Sequence, residues 1–178
     1  MLASHQTDDL SLLELATVLG NALLGCGRAL ATAESCTGGW IAKVLTDIPG
    51  SSVWFPGGVV SYADAVKREV LGVSTQTLAD HGAVSDATVE EMARGVLELC
   101  HADIAVAVSG IAGPGGGEGP GKPVGAVCFG WAWRDGNHTQ VHTLRRQFSG
   151  DREAVRRASV AVALQETLRL VSQWSDDV

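Results

Sequence analysis

The chain has 178 residues, of which 46% are hydrophobic. This length and composition suffice for one buried core and predict a single domain spanning residues 1–178. Lys and Arg number 13 against 20 Asp and Glu, which gives a net charge of -7. Such an acidic chain repels polyanions and argues against nucleic acid as the main partner, although a local basic pocket can still bind one phosphate group.

The cysteines and the N-terminus indicate which cellular setting to expect. Four cysteines, Cys26, Cys36, Cys100 and Cys128, lie singly along the sequence. Because neither a CxxC pair nor a neighbouring His gives the spacing of a zinc site, we expect no metal and no disulfide framework. The sequence shows no signal-peptide pattern and no apolar run near the roughly 20 residues that span a bilayer. We therefore expect a cytoplasmic protein without membrane contact.

Hydrophobic periodicity predicts alternating helices and strands. In chain order, the first half predicts a helix over 12–23, a strand over 29–33, a helix over 40–48, a strand over 53–62 that Pro56-Gly57-Gly58 interrupts, and a helix over 63–71. The second half predicts a helix over 86–100, a buried strand over 104–108, a glycine-rich loop over 110–121, two strands over 124–133 and 138–148 joined by a turn at Asp135-Gly136, and a helix from 151 to about 174.

These elements together predict the fold class. The last two strands form an antiparallel hairpin, whereas the earlier units favour parallel pairing, so we expect a single three-layer α/β/α domain with a mixed sheet. The edge of the hairpin and the tryptophans Trp131, Trp133 and Trp174, which we expect to be exposed, offer surface for self-association. We therefore expect a homodimer.

A lysine interrupts the apolar stripe of the helix predicted over 63–71. Lys67 occupies a position that the stripe places on the buried face, where loss of hydration favours the neutral amine that a general base needs. The alternative is a lysine whose stem covers apolar surface while its ammonium reaches water. Tyr62 directly precedes this helix. Its hydroxyl either relays a proton and orients the lysine, or the ring is an ordinary residue of the core rim.

Two turns follow predicted strands and offer backbone N–H groups to an anion. In the first, Thr37, Gly38 and Gly39 lie at a helix start, where free N–H groups and the helix dipole attract negative charge. The alternative there is a helix cap by Thr37. The second turn, 109–114, follows a buried strand, the usual place for ligands in open α/β sheets. A P-loop nucleotidase is excluded because Pro123 replaces the hydroxyl residue that holds magnesium.

Arginines cluster near the start of the last predicted helix, where positive charge opposes the helix dipole. They are Arg152, Arg156 and Arg157. Either the neighbouring Asp151 and Glu153 compensate them as a solvated network, or a phosphate group binds through Arg152 or Arg156.

Seven short blocks, taken in order, resemble the family of CinA C-terminal domains. The blocks are Ala33–Gly39, Gly50–Ser52, Ser61-Tyr62 with Lys67, Gly82–Ser85, Ser109–Pro114, Lys122–Gly125 and Phe148–Arg152, and the resemblance runs from about residue 10 to 172. It implies hydrolysis of the carboxamide of nicotinamide mononucleotide to nicotinic acid mononucleotide and ammonia, without metal or organic cofactor. Asp64 departs from the Asn that relatives often have, and the loop 115–121 is unusually rich in glycine, which would alter substrate fit.

The resemblance also implies a catalytic serine that works with a tyrosine and a lysine. The motifs place these roles at Ser52, Tyr62 and Lys67, with Ser52 attacking the carboxamide carbon and Lys67 accepting its proton. We expect the substrate, including its phosphate, to be bound by residues of the two turns and the last helix, which are Ser35, Cys36, Thr37, Gly38, Gly39, Ser109, Gly110, Ala112, Gly113, Arg152 and Arg156.

Two alternatives remain open at this point. Cys36 lies at a predicted helix start, where a thiolate is favoured, and it is the rival nucleophile. In a different class, the same loops bind a nucleotide without breaking a bond, as in a competence-associated interaction module. Many relatives carry an additional N-terminal domain associated with pyrophosphatase activity toward dinucleotides. This chain has no room for it, so we expect that activity to be absent.

Overall fold

The computed structural model describes residues 8–116 and 122–174. The helices are α1 (Asp9–Cys26), α2 (Trp40–Thr46), α3 (Asp64–Leu71), α4 (Thr75–His81), α5 (Asp86–Leu99) and α6 (Arg152–Trp174). The strands are β1 (Leu30–Glu34), β2 (Gly57–Val60), β3 (Ile104–Gly110), β4 (Ala126–Asp135) and β5 (His138–Gln147). Part of the glycine-rich loop, 117–121, lies outside the described residues.

The five strands form one mixed sheet in the order β2-β1-β3-β4-β5. The first three are parallel, and β4 and β5 pair antiparallel with β3 and with each other. Gly136 in the turn between β4 and β5 has a φ of 57°, a left-handed conformation that glycine adopts without strain. The predicted α/β class with a mixed sheet is therefore confirmed.

Helices cover both faces of the sheet because successive side chains of a strand point to opposite faces. In β3, Ile104, Val106 and Val108 join the core formed with α1, α2 and α6, whereas Ala105 and Ala107 join the core formed with α5. At Gly130 of β4, an added Cβ would lie 2.5 Å from the carbonyl oxygen of Val89. The glycine thus lets α5 approach the sheet closely, and the result is the expected three-layer arrangement.

The tryptophans expected at the surface are not exposed. Trp131 is fully buried and its Nε1 donates to Thr167 Oγ1 at 3.0 Å, while Trp133 and Trp174 are partly buried against the core. That expectation is wrong because Trp131 and Trp133 lie on the face of β4 that packs against the core with α1, α2 and α6, and Trp174 at the end of α6 packs against the same core. These three rings therefore give no support to self-association.

Helix α1 is the one helix among residues 8–116 and 122–174 that is long and apolar enough to cross a membrane, by length and composition alone. Its residues Leu12, Ala16, Leu19 and Leu23 are fully buried in the core. A core helix meets the same criteria of length and hydropathy.

Two segments differ from the sequence expectation. The start of the strand predicted over 53–62 is instead a short 3-10 turn at Ser51–Val53, and the strand begins only at Gly57, after Pro56. The helix α4 was not predicted. It buries none of its residues and is capped by Ser74, whose hydroxyl accepts from the N–H of Thr77 at 2.9 Å, so it has no apolar stripe that a periodicity argument can detect.

Candidate active site

A pocket of about 190 Å³ opens where β1 and β3 end. Ligands in open α/β sheets bind at this edge, outside the carboxyl ends of the strands. The pocket is lined by Ser35, Cys36, Tyr62, Asp64, Lys67, Ala83, Val84, Ser109, Gly110, Ala112 and Arg152. Eight of the residues that the sequence predicted for the site are therefore in one place, and Asp64 joins them.

Lys67 is buried at the base of this pocket. Its side chain is 1% exposed, so the alternative of an ammonium that reaches water is wrong. Its Nζ donates to the carbonyl oxygens of Ser61 at 2.9 Å and Tyr62 at 3.2 Å, and it lies 3.5 Å from Asp64 Oδ1. The two carbonyl groups engage two of its hydrogens. One further position of the nitrogen, a proton in the ammonium or a lone pair in the amine, remains for Asp64 or for a group in the pocket.

Tyr62 contacts the lysine through its backbone rather than its ring. The side chain is 61% exposed at the rim of the pocket, and its hydroxyl accepts from Arg152 Nη2 at 3.1 Å. Arg152 is held in turn by a bond from Nη1 to the carbonyl oxygen of Gly113 at 2.7 Å. The hydroxyl of Tyr62 is thus paired with an arginine, not with the lysine amine as the sequence suggested.

Three serines lie at the same edge of the sheet, and they differ in what their hydroxyl groups contact. Ser109 Oγ donates to the carbonyl oxygen of Ala83 at 2.7 Å, whereas Ser61 is not in the pocket lining and its buried Oγ has no partner in the part of the chain that the structure describes. Ser35 directly follows β1, where its N–H donates to the carbonyl oxygen of Val108 at 2.9 Å. Ser35 lines the same pocket as Lys67, and among residues 8–116 and 122–174 its hydroxyl makes no hydrogen bond to a protein group.

Ser52 lies at the other end of the sheet. It sits exposed in the turn before β2, near Trp54, whose carbonyl oxygen accepts from the N–H of Leu30 at the start of β1. The pocket is at the end of β1, where Glu34 accepts from the N–H of Ser61. Leu30 and Glu34 are four residues apart on an extended strand, which is roughly 13 Å. Within one chain, the structure therefore brings Tyr62 and Lys67 together but does not bring Ser52 to them.

The turn after β1 is closed by a buried carboxylate. Glu34 accepts from the N–H groups of Gly39 at 3.0 Å, Ile41 at 3.0 Å and Ala42 at 2.8 Å, so it neutralises the start of α2. The N–H of Gly38 donates to the carbonyl oxygen of Ser35 at 3.1 Å. Because the N–H groups of Gly38 and Gly39 already donate to protein oxygens, the structure does not support a phosphate site at Thr37–Gly39. The cap by Thr37 is wrong as well, since Gly39 is the N-cap.

The three arginines of α6 have separate surroundings. Arg152 lines the pocket, and Arg157 forms ion pairs with Asp9 and, at 3.0 Å, with Glu153. Arg156 donates from Nε to the carbonyl oxygen of Cys36 at 3.1 Å and from Nη2 to that of Thr37 at 2.8 Å. Of the two arginines expected to bind phosphate, Arg152 is therefore the one that faces the pocket.

The rival nucleophile Cys36 is held in the thiol form. Burial raises the pKa of its thiol to about 12, because the charged thiolate loses hydration there. A thiol with this pKa carries little of the reactive thiolate near neutral pH. The geometry therefore disfavours Cys36 as the attacking group.

A second groove, of about 550 Å³, adjoins the pocket across Val84. The pocket alone is smaller than the roughly 300 Å³ at which sites for drug-sized ligands begin, so a nucleotide must extend beyond it. The groove carries the cations Lys122, Arg145 and Arg146. Arg145 is engaged by Asp86 at 2.7 Å. Arg152 at the pocket and the cations of the adjoining groove are thus two basic sites for an anionic group.

Sequence comparison assigns the chain to one family. Residues 12–171 match the sequence profile of the CinA C-terminal domain. The chain belongs to the CinA C-terminal domain family. Among its relatives, the nicotinamide-nucleotide amidohydrolase PncC of Enterobacter agglomerans is 55% identical over 156 residues, which cover 88% of this chain and 93% of that protein. The PncC of Escherichia coli strain K12 is 52% identical over 157 residues, with the same coverage.

Solved structures show the same fold. A CinA superfamily protein from Klebsiella pneumoniae 700603 superposes with a TM-score of 0.86 at 44% identity and covers 92% of this chain and 99% of its own. A CinA superfamily protein from Escherichia coli has a TM-score of 0.84 at 36% identity over 96% of this chain and 94% of its own. The resemblance inferred from the seven sequence blocks is confirmed.

Proposed function

We propose that this protein hydrolyses the carboxamide of nicotinamide mononucleotide to nicotinic acid mononucleotide and ammonia. The name and the close similarity of the PncC amidohydrolases support this substrate. The structural observation that carries the proposal is a buried lysine, Lys67, that lines one pocket with Ser35, whose hydroxyl has no partner within the described residues, at the carboxyl ends of the strands. A serine and a basic lysine are sufficient for acyl transfer from an amide.

Ser35, rather than Ser52, is the nucleophile in this proposal. Lys67 takes the proton of Ser35 Oγ as that oxygen attacks the carboxamide carbon. Cys36 lines the pocket, and its N–H group, which donates to no protein group within residues 8–116 and 122–174, receives the oxyanion. Lys67 passes the proton to the departing nitrogen, and ammonia leaves. Water then adds to the acyl-enzyme, returns a proton to Ser35 through Lys67, and releases the carboxylic acid.

Arg152 holds the phosphate of the substrate in this proposal. It lies at the pocket rim, and its contacts to Gly113 and Tyr62 fix the guanidinium while leaving N–H groups for an anion. Arg152→Ala should cost about 2 kcal/mol in kcat/KM for the mononucleotide and little for the phosphate-free riboside. Lys122→Ala is the matched test of the adjoining groove. A loss specific to the mononucleotide in Lys122→Ala, and absent in Arg152→Ala, would move the phosphate into that groove.

The reaction is tested with purified protein, nicotinamide mononucleotide and a metal chelator. We expect stoichiometric ammonia and nicotinic acid mononucleotide. The competing function is the non-catalytic nucleotide-binding module. Saturable binding of the mononucleotide without either product would support that module and contradict the hydrolase.

We also propose that the protein is a cytoplasmic homodimer. The strands β2 and β5 are the two edges of the sheet, and α1 exposes Leu10 and Leu24 to solvent, so main-chain and apolar groups are available for a second copy. Sedimentation at micromolar concentration tests this, and a monomer there would contradict it. If a partner copy supplied Ser52, mixing the Ser52→Ala and Lys67→Met variants would restore activity that neither has alone.

A further inference from the structure

Three charged side chains line the pocket within the described part of the chain. Lys67 and Arg152 are cations, and Asp64 is the single anion among them. Lys67 is buried at the base, whereas the Asp64 side chain is 60% exposed, and Asp64 Oδ1 lies 3.5 Å from Lys67 Nζ. Arg152 lies at the rim, where its guanidinium donates to Gly113 and Tyr62. The carboxylate therefore lies within the pocket and directly beside the lysine.

The proposed reaction changes the charge of the bound molecule next to this carboxylate. At neutral pH, hydrolysis converts a neutral carboxamide and water into a carboxylate anion and an ammonium ion. Lys67 Nζ exchanges protons with Ser35 and with the departing nitrogen, so these atoms must come within about 3.2 Å of it. Because Asp64 Oδ1 is 3.5 Å from the same Nζ, the new anion forms less than about 7 Å from Asp64.

Two carboxylates at this separation repel each other. The separation is shorter than the Debye length of about 8 Å at physiological ionic strength, so salt does not remove the interaction. Asp64 also compensates the charge of Lys67, and without it the pocket presents two cations and no anion to the acid. The carboxamide carries no charge at the same position. The charge of Asp64 therefore disfavours the acid and leaves the amide almost unaffected.

We propose that Asp64 is a specificity-determining residue of this pocket: its negative charge lowers the affinity for the carboxylate product relative to the carboxamide substrate and so favours release of the acid. This assignment rests on the proposed hydrolase function and deepens it. The same charge keeps nicotinic acid mononucleotide that accumulates in solution from occupying the site.

The ratio of two dissociation constants tests this role. Nicotinic acid mononucleotide and nicotinamide mononucleotide share the pyridinium ring, the ribose and the phosphate, so interactions of Asp64 with these groups cancel when the Kd of the acid is divided by the Kd of the amide. Calorimetry in a Ser35→Ala background, which is expected to bind the amide without consuming it, measures both constants. We expect Asp64→Asn to lower this ratio about fivefold, because solvent weakens the effect of an exposed carboxylate.

Two further variants separate charge from other effects. Asp64→Ala removes the charge without adding the N–H donor that Asn offers to a carboxylate, and the ratio should fall as it does in Asp64→Asn. The matched control is Glu69→Gln, which removes an exposed carboxylate of α3 that does not line the pocket. There the ratio should stay within about twofold of its parent.

The binding ratio does not depend on turnover. If the wild type released no ammonia, the hydrolase would be contradicted, but the preference of the pocket for amide over acid would still be measured. If Ser35→Ala still consumed the amide, the inhibition constant of the acid and the KM of the amide would give the corresponding ratio. An unchanged ratio in Asp64→Ala would overturn the proposal. A fall confined to Asp64→Asn would overturn it too, since the new amide donor would then be the cause.

Discussion

At the scale of single residues, Lys67 is the unusual group of this molecule. A buried ammonium loses hydration, and here two backbone carbonyl groups and Asp64 replace that hydration. These three oxygen atoms fix the position of Nζ at the base of the pocket, where the proposed reaction needs a proton acceptor.

Replacing Asp64 should weaken the hold on Lys67 only slightly. In Asp64→Asn the ion pair at 3.5 Å from Nζ is lost, but the Asp64 side chain is 60% exposed, so solvent reduces what the pair contributes to less than about 1 kcal/mol. The two backbone carbonyl groups still hold Nζ, and kcat/KM should fall by less than about fivefold. The measurement is kcat/KM at one fixed pH, with Glu69→Gln on the exposed side of α3 as the control. A loss as large as that of Lys67→Met would show that Asp64 itself takes part in the reaction.

Cys36 should be resistant to alkylation. Burial raises the pKa of its thiol to about 12, so roughly 1 in 10,000 molecules carries the thiolate at pH 8. Cys26, which is only partly buried, should react first with iodoacetamide, as peptide mass spectrometry would show. Rapid labelling of Cys36 that mononucleotide prevents would instead revive the thiol as nucleophile.

At the scale of elements, the start of α2 depends on a side chain from the preceding strand. Glu34 is buried and accepts from three N–H groups of the turn and of α2. Its carboxylate thus does what a cap residue does for an ordinary helix, and it supports the turn that carries Ser35.

Weakening this carboxylate should cost stability. Glu34→Gln keeps the size of the side chain but removes its charge and one acceptor oxygen, so a buried N–H group is left poorly paired. We expect the free energy of unfolding to fall by about 2 kcal/mol. Urea denaturation measures this, with Glu153→Gln on α6 as a surface control that should change stability by less than about 1 kcal/mol. Equal stability of wild type and Glu34→Gln would show that the cap contributes little.

Sequence periodicity predicted the elements that bury an apolar face and missed those that do not. The stripes of α1, α2 and α5 were identified, whereas α4 buries no side chain and left no pattern. The Thr37 cap was predicted because a hydroxyl residue near a helix start is its usual cap. A glutamate that reaches forward five to eight residues from a strand gives no local signal, and only the folded turn shows that it takes those N–H groups.

At the scale of the whole molecule, the topology of the sheet decides which residues share a site. Glu34–Gly39 and Ser109–Gly113 follow the parallel strands β1 and β3 and so meet at one edge, as their positions after predicted strands implied. Ser52 is closer to Lys67 in sequence than Ser35 is. However, β2 runs between Ser52 and Lys67 and carries the chain from one end of the strands to the other. The spacing of Ser52 and Lys67 in the sequence does not predict how far apart they lie, because that distance depends on the direction in which the intervening segment runs.

The central claim is that Ser35 and Lys67 form the reacting pair. The most direct test is the initial rate of ammonia release from nicotinamide mononucleotide by Ser35→Ala and Ser52→Ala, each shown to fold by its melting temperature. The account predicts that Ser35→Ala loses turnover by at least about a thousandfold, while Ser52→Ala, on the far edge of the sheet, stays within about twofold of wild type. A folded Ser35→Ala with near-normal turnover, together with an inactive Ser52→Ala, would contradict it and return the nucleophile to Ser52.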